Sequence, residues 1–356
     1  MLKKLLLFHL FFSFYITYAQ IDTLYCKVAF YNAENLFDPA NDSLKNDDAF
    51  TPEGFNGWTY KRYYRKISNI GKVILAMGAG DPPGIVGLAE IENAKTLRDL
   101  CYNSPLKNYR YRFIHYDSPD SRGIDVALLY RPDQVEILHS EPLPVVFPFE
   151  PSSQNRDILY VMAVVHQCDT LHLFVNHWTS RYGGYAPTIP KRNYYAEVVR
   201  RKYDSICHKN HTPNIIIMGD FNDYPYDESI QIYLQAQRIT KDVDPQKLYN
   251  LMASFSSLEN IGSHKHEEFW GCLDQLIVSG NLLLDNHSLQ VANRKAVIFK
   301  ADFMMEPDKR YGGEKPFRTY LGPRYYGGYA DHLPVYLSLF SYRGNGTTIS
   351  SQNSQR

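Results

Sequence analysis

The polar residues of greatest chemical interest in this sequence stand at the edges of apolar runs. Tyr25–Tyr31 leads into Asn32-Ala33-Glu34-Asn35, and Ile85–Ala89 leads into Glu90. Leu171–Val175 leads into Asn176-His177-Trp178, and Ile215–Met218 into Gly219-Asp220-Phe221-Asn222-Asp223. Asp274 opens the run Leu276–Val278, and Asp331-His332 immediately precedes Leu333-Pro334-Val335. Side chains alternate faces along an extended chain, so Asp220 and Asn222 are expected to point the same way. A carboxylate beside an amide can orient a water and donate a hydrogen bond to an oxyanion. Glu90, with Asn32 and Asp331, offers hard oxygen ligands for Mg²⁺ or Mn²⁺, ions that keep waters and accept a phosphate oxygen. Each residue alone has a plainer reading: a Gly/Asp/Asn turn, a histidine bonded under a loop, an acidic residue in a solvated turn. Those readings explain poorly why every candidate falls at the edge of an apolar run.

The elements that must hold these residues can be read from periodicity. Besides the runs above, Val126–Tyr130, Tyr160–Val165 and Val335–Phe340 read as buried strands. Tyr60, Tyr63, Ile67, Ile70, Ile74 and Met77 recur at helical steps, and a second helix is expected to open at Pro190 and carry Val198, Val199, Tyr203 and Ile206. Apolar strands mixed with amphipathic helices imply a layered α/β domain. Residues 38–58 and 301–330 read as loops, and 343–356, rich in Ser, Asn, Gln and Gly, as a disordered tail. With no linker in the middle, residues 21–342 read as one domain.

Residues 1–19 read as a secretory signal peptide. Lys3 and Lys4 precede the mostly apolar stretch Leu5–Ile16, and Ala19 offers a cleavage point before Gln20. The expected location is therefore secreted or periplasmic, with no stable membrane association. Lys+Arg and Asp+Glu are both 38; without Lys3 and Lys4 the balance is 36 against 38, which argues against a strongly basic, indiscriminate polyanion binder and leaves room for a local basic cleft. Five widely spaced cysteines show no metal-knuckle pattern and read as small core residues. No HExxH, GxSxG, GxxxxGK[ST] or strand-following GxGxxG occurs, which removes the zinc-protease, hydrolase-elbow, P-loop and dinucleotide readings.

In their order, these motifs resemble the endonuclease/exonuclease/phosphatase superfamily, which includes deoxyribonuclease I, abasic-site nucleases, neutral sphingomyelinases and inositol-polyphosphate 5-phosphatases. Tyr31-Asn32-Ala33-Glu34-Asn35-Leu36-Phe37-Asp38 is similar to the first motif, whose Asn lies near the metal. Gly87-Leu88-Ala89-Glu90-Ile91 is similar to the second, whose Glu is the main metal ligand. Val175-Asn176-His177-Trp178 looks like the segment with the first catalytic His, and Gly219-Asp220-Phe221-Asn222 like the family's Gly-Asp-[Phe/Leu]-Asn. Leu273-Asp274-Gln275-Leu276 resembles the motif whose Asp orients the second catalytic His. Asp331-His332-Leu333-Pro334 resembles the terminal Asp-His, with Ala330 where the family often has Ser. The resemblance spans Phe30 to Pro334 and looks most like the bacterial extracellular-nuclease branch. It implies a four-layer αββα sandwich with the site at one edge of the packed sheets. Deoxyribonuclease I pairs a Glu with its first catalytic His; Asp125 is the nearest candidate for that place, as partner of His177.

The activity implied is in-line attack of water on a phosphodiester, with a divalent ion on Glu90 stabilising the developing charge. Asp220 would align or deprotonate the water, Asn222 and His177 would donate to phosphoryl oxygens, and His332, oriented by Asp274, would serve in acid–base chemistry or phosphate binding. Arg122, Arg181, Arg318 and Arg324 are candidate phosphate contacts, and the tyrosines near them could stack on single strands. A secreted nuclease acting on DNA or RNA, as a monomer, is the first expectation. An esterase for small phosphoesters or phospholipid headgroups is the second, and an inactive binding protein on the same fold the third.

Overall fold

The computed structural model describes residues 23–257, 261–285 and 289–342. The expected leader, 1–19, and tail, 343–356, lie outside the described residues. Among the described residues, nineteen strands fall in chain order among three α-helices. They are β1 (Thr23–Leu36), α1 (Tyr60–Met77), β2 (Ile85–Ile91), α2 (Ala94–Tyr102), β3 (Arg112–His115), β4 (Asp125–Tyr130), β5 (Val135–Leu143), β6 (Ile158–Val165), β7 (Asp169–His177), α3 (Tyr185–Lys209), β8 (Asn214–Asp220), β9 (Ala236–Gln237) and β10 (Leu248–Asn250). There follow β11 (His264–His266), β12 (Phe269–Gly271), β13 (Asp274–Ser279), β14 (Leu289–Ile298), β15 (Met305–Pro307), β16 (Glu314–Pro316), β17 (Tyr320–Leu321), β18 (Arg324–Tyr325) and β19 (Val335–Tyr342). Two sheets dominate, ordered β14-β19-β1-β2-β4-β3 and β5-β6-β7-β8-β13-β10-β9. Three small hairpins, β11/β12, β15/β16 and β17/β18, stand apart from them.

Period-two alternation builds the layers. Val28 and Phe30 of β1, Ile85 of β2 and Leu128 of β4 enter the same core as Leu173 and Val175 of β7, Ile216 and Met218 of β8, and Leu276 and Val278 of β13. That shared core is the space between the sheets. The alternate residues Ala29, Tyr31, Val86, Leu88 and Leu129 face outward against Tyr63, Ile67, Ile70 and Ile74 of α1 and Leu97 and Leu100 of α2. On the far side, Phe174, Ile215, Ile217 and Ile277 meet Tyr195, Val198, Val199, Tyr203 and Ile206 of α3. The order is helix, sheet, sheet, helix: the expected αββα sandwich.

The strands expected from sequence are present, as is α1, whose Thr59 caps it by accepting from the Arg62 N–H. The second helix begins at Tyr185, five residues before Pro190. Gly184, at φ 112°, breaks the preceding chain, and Pro190 lies close enough to the start that its missing N–H forfeits one early bond. Helix α2 escaped the sequence reading; Asn93 caps it, its Oδ1 accepting from Lys95 and Thr96 N–H. All five cysteines are free thiols, with Cys26, Cys101 and Cys272 buried.

Candidate active site

Strand register assembles half of the site. In parallel β7/β8, His177 pairs with Asp220; in antiparallel β8/β13, Asp274 pairs with the same Asp220. Three polar residues from distant parts of the chain thus end adjacent strands at one level. Gly219 permits this approach: a Cβ there would sit 2.5 Å from both the Cβ and the carbonyl oxygen of Asn176. The other sheet supplies Asn32, which pairs with Ala89 across parallel β1/β2, and Glu90 just beyond, where the register shifts. Glu34, Asn35, Glu90 and Asn222 all have left-handed backbone, with φ of 51°, 53°, 61° and 50°. Asn222 is therefore not an alternating extended residue: its N–H turns back to Asp220 Oδ1 at 3.0 Å, and its Nδ2 donates to the Trp178 carbonyl at 3.1 Å.

His332 Nδ1 lies 2.7 Å from Asp274 Oδ2, with both side chains nearly sealed. Burial alone would lower the His332 pKa, but Asp274 and Asp220 outweigh it and hold the imidazole well above its ordinary range. His177 goes the other way: burial, reinforced by Arg156, Arg122 and His332, keeps it neutral. Its Nδ1 is buried without a hydrogen-bond partner. Asp220 sits between them, Oδ2 lying 3.8 Å from Nε2 of each histidine. Burial raises its pKa to about 6; His332 opposes that rise and Asp274 adds to it. Asn32 donates to Asp220 Oδ2 at 3.1 Å, and its own amide oxygen accepts the Glu34 N–H at 3.0 Å.

Glu90 accepts the Asn35 N–H on Oε2 at 2.7 Å, and its Oε1 is 3.9 Å from His177 Nε2. Glu90 and Asp220 thus flank the neutral His177, while Asp220 and Asp274 flank the protonated His332, so three carboxylates face a single imidazolium charge. The excess negative charge, the hard oxygen donors and distances too long for hydrogen bonds fit a divalent cation. Glu90, Asp220 and the second lone pair of Asn32 Oδ1 are the groups that could hold it. Asp331 is differently engaged. Its Oδ2 accepts from Arg318 Nη2 at 2.8 Å. Burial would raise its pKa, yet Arg318 and His332 draw it down to about 2.

The four arginines divide. Arg122 reaches the site, donating to Asn35 Oδ1 at 2.6 Å with Glu90 Oε2 4.0 Å away. Arg181 is spent on structure: it donates to the Asn222 carbonyl at 2.7 Å and pairs with Asp223 and Asp227 at 3.3 and 2.9 Å. Arg318 bridges Glu34, at 3.0 Å, and Asp331. Arg324 packs over Tyr326 and has no described contact with the site. Asp125 is not brought to His177. It lies in β4 of the opposite sheet, 3.1 Å from His115 Nε2, and accepts from Ser118 N–H and Oγ–H.

Three features had no sequence signal of their own. The buried Arg156 donates to the backbone carbonyls of His177 and Trp178 and to Asp120, each at 3.0 Å. Lys66, fully buried on α1, reaches Glu34, Thr319 and the Tyr329 carbonyl, tying the first motif to the 301–330 excursion. His264 forms an isolated bridge with His332, and the two ring centroids are 4.6 Å apart. Arg156, Lys66 and His264 all lie outside the motifs of the sequence reading, although each touches a residue within one.

Comparison with known families fits this geometry. The endonuclease/exonuclease/phosphatase family model matches residues 27–341, and the chain belongs to that family. Its members are phosphoesterases, a class that typically uses divalent metals. Among solved structures, an endonuclease/exonuclease/phosphatase family protein from Bacteroides thetaiotaomicron is 16% identical, with a TM-score of 0.54 over 90% of this chain and 99% of that one. The human Nocturnin catalytic domain with bound sulfate is 16% identical, with a TM-score of 0.52 over 91% and 98%. A mannosyl-6-phosphatase from B. thetaiotaomicron is 16% identical, with a TM-score of 0.51 over 88% and 99%. At that identity the likeness establishes the fold. No curated protein matches the chain.

Proposed function

We propose that the protein is an exported, divalent-metal-dependent phosphodiesterase that hydrolyses nucleic acid. The observation that carries this reading is the register-fixed row His177, Asp220 and Asp274 facing Glu90 and Asn32, with His177 Nε2 3.8 Å from Asp220 and 3.9 Å from Glu90. A Mg²⁺ or Mn²⁺ ion on Glu90 would supply charge stabilisation to the phosphoryl oxygens. Asp220, as a ligand of that ion, would align the attacking water beside it. Neutral His177 and the amide of Asn222 donate to phosphoryl oxygens. Protonated His332, held by Asp274, hydrogen-bonds a phosphoryl or leaving oxygen. Arg122, the one candidate arginine beside Glu90, is the phosphate contact. Export rests on the basic start, apolar stretch and Ala19 of the first nineteen residues.

The test is the purified protein with Mg²⁺, Mn²⁺ or Ca²⁺ against plasmid DNA, RNA, bis-p-nitrophenyl phosphate, sugar phosphates and phospholipid. Ion-dependent loss of plasmid or RNA is the expected result. Intact nucleic acid under every ion would end the nuclease reading. A second reading, a phosphatase for small monoesters, is favoured by the commitment of Arg181 and Arg318 to carboxylates, which removes two cations from any phosphate track. The mannosyl-6-phosphatase neighbour shares the fold. Turnover of sugar phosphates alone would select it.

A further inference from the structure

His264 is on the hairpin β11/β12, outside every motif of the sequence reading, yet it lies against the catalytic pair. The Leu333 N–H donates to the Ser263 carbonyl at 2.6 Å, and the Asp274 N–H donates to Ser263 Oγ at 3.1 Å. The hairpin is therefore strapped to both Asp274 and His332. Lys265 pins its other side through Asp308, at 2.9 Å, and the Gly312 carbonyl, at 2.8 Å. One donor atom each from His264, Asp331 and His332 lie within 4.8 Å of one another.

We propose that His264, Asp331 and His332 form a second, inhibitory metal site selective for borderline transition ions such as Zn²⁺. The donor chemistry separates it from the Glu90 site. Two imidazoles and one carboxylate suit Zn²⁺, whereas Mg²⁺ prefers oxygen ligands and water. The ligands are held in place by the strap, so little ordering is lost on binding. Asp331 Oδ2 is taken by Arg318, which leaves Oδ1 for an ion. His332 Nδ1 is taken by Asp274, which leaves Nε2. Three protein ligands leave room for water in the fourth position of a tetrahedral ion. Binding there occupies the nitrogen lone pair of His332 and releases its proton, so the imidazole can no longer donate to a phosphoryl or leaving oxygen. The ion borders the Glu90 site, because Asp220 Oδ2 lies 3.8 Å from the same Nε2, but it does not need Glu90 as a ligand. This inhibition rests on the proposed phosphodiesterase reading; the site itself does not.

The test uses the full chain and His264→Phe, which keeps an aromatic ring against His332 and removes the donor nitrogens. Co²⁺ added to metal-free protein should give visible absorption bands of a nitrogen-containing site, displaced by Zn²⁺, and His264→Phe should lose them. Calorimetric Zn²⁺ affinity should fall at least tenfold in His264→Phe and persist in Glu90→Gln. Micromolar Zn²⁺ should suppress Mg²⁺-supported turnover of bis-p-nitrophenyl phosphate in the native protein, and that suppression should weaken at least tenfold in His264→Phe. Zn²⁺ affinity unchanged in His264→Phe, or lost in Glu90→Gln, overturns the proposal, because the ion would then occupy the Glu90 site. If no substrate is turned over, the spectra and calorimetry still decide the metal site, while the phosphodiesterase reading fails separately.

Discussion

Replacing Asp274 by Asn should separate the charge of the Asp274–His332 pair from its shape. The contact is 2.7 Å, and the two side chains are 1% and 8% exposed, so solvent screens it little. A hydrogen bond to a charged partner contributes about 1.5–3 kcal/mol, against about 0.5–1.5 for a neutral one. The difference, about 1.5 kcal/mol, corresponds to a fall of about one unit in the pKa of His332 and to roughly tenfold in turnover. His332→Ala should cost more, about 10²–10⁴-fold. Because the pair acts as one unit, Asp274→Asn/His332→Ala should be little worse than His332→Ala. Stability carries its own signature. The His332 pKa is raised above the unfolded 6.5, so its contribution is fully present below that value and is lost as pH rises through the higher folded pKa. The Tm deficit of Asp274→Asn should therefore be largest in mild acid and shrink on the alkaline side. Stopped assays across a pH series, with thermal melts at each pH, read both quantities. Fully multiplicative losses in the double variant, with an unshifted pH profile, would refute the coupling.

Glu90→Gln should nearly abolish metal-supported turnover and weaken Mg²⁺ binding in calorimetry while the melting curve stays native; wild-type activity at ordinary Mg²⁺ would remove Glu90 from the site. Arg156→Met should destabilise the fold by about 3–5 kcal/mol, because Asp120 is left buried without its cation, and denaturant melts measure this directly. Metal-free protein should lose stability as pH rises through about 6, since the raised Asp220 pKa favours the protonated fold and the stability it adds is fully present only below 3.8. Added Mg²⁺ should consequently raise Tm more at pH 8 than at pH 5. Equal shifts at both values would show that Asp220 is not where the ion competes with protons. Gly219→Ala should depress Tm by several degrees, because its Cβ would lie 2.5 Å from Asn176 backbone.

Apolar runs were legible because the central strands β2, β4, β8 and β13 are buried on both faces, and polar residues at their ends stand out against such runs. Register was not legible. That His177, Asp220 and Asp274 stand side by side follows from β8 lying parallel to β7 and antiparallel to β13, which no local pattern states. The same gap misplaced Asp125: its neighbour is set by β3/β4 pairing, where His115 sits opposite Ala127. Arg156 was missed because its partners are carbonyls 21 and 22 positions away, and a backbone acceptor leaves no trace in residue types. The extended-chain argument for Asp220 and Asn222 reached a true proximity by a wrong route. Asn222 turns left-handed and uses the Asp220 carboxylate as a turn acceptor. Arg181 and Arg318 looked like substrate cations because sequence shows charge but not the carboxylates that neutralise it.

The left-handed backbone at Glu90 sets folding and chemistry against each other at a single codon. A residue with a Cβ and no short side-chain amide costs about 1–2 kcal/mol in that conformation, and glycine does not. The bulge that aims the carboxylate at His177 would therefore be relaxed by Glu90→Gly, which also removes one of three crowded negative charges. A laboratory selection for heat tolerance alone would be drawn toward that substitution and would return a sturdier protein without the carboxylate proposed to hold the ion. Any engineering of this scaffold for thermal endurance has to select for turnover in the same round, because at this position the two pressures run in opposite directions.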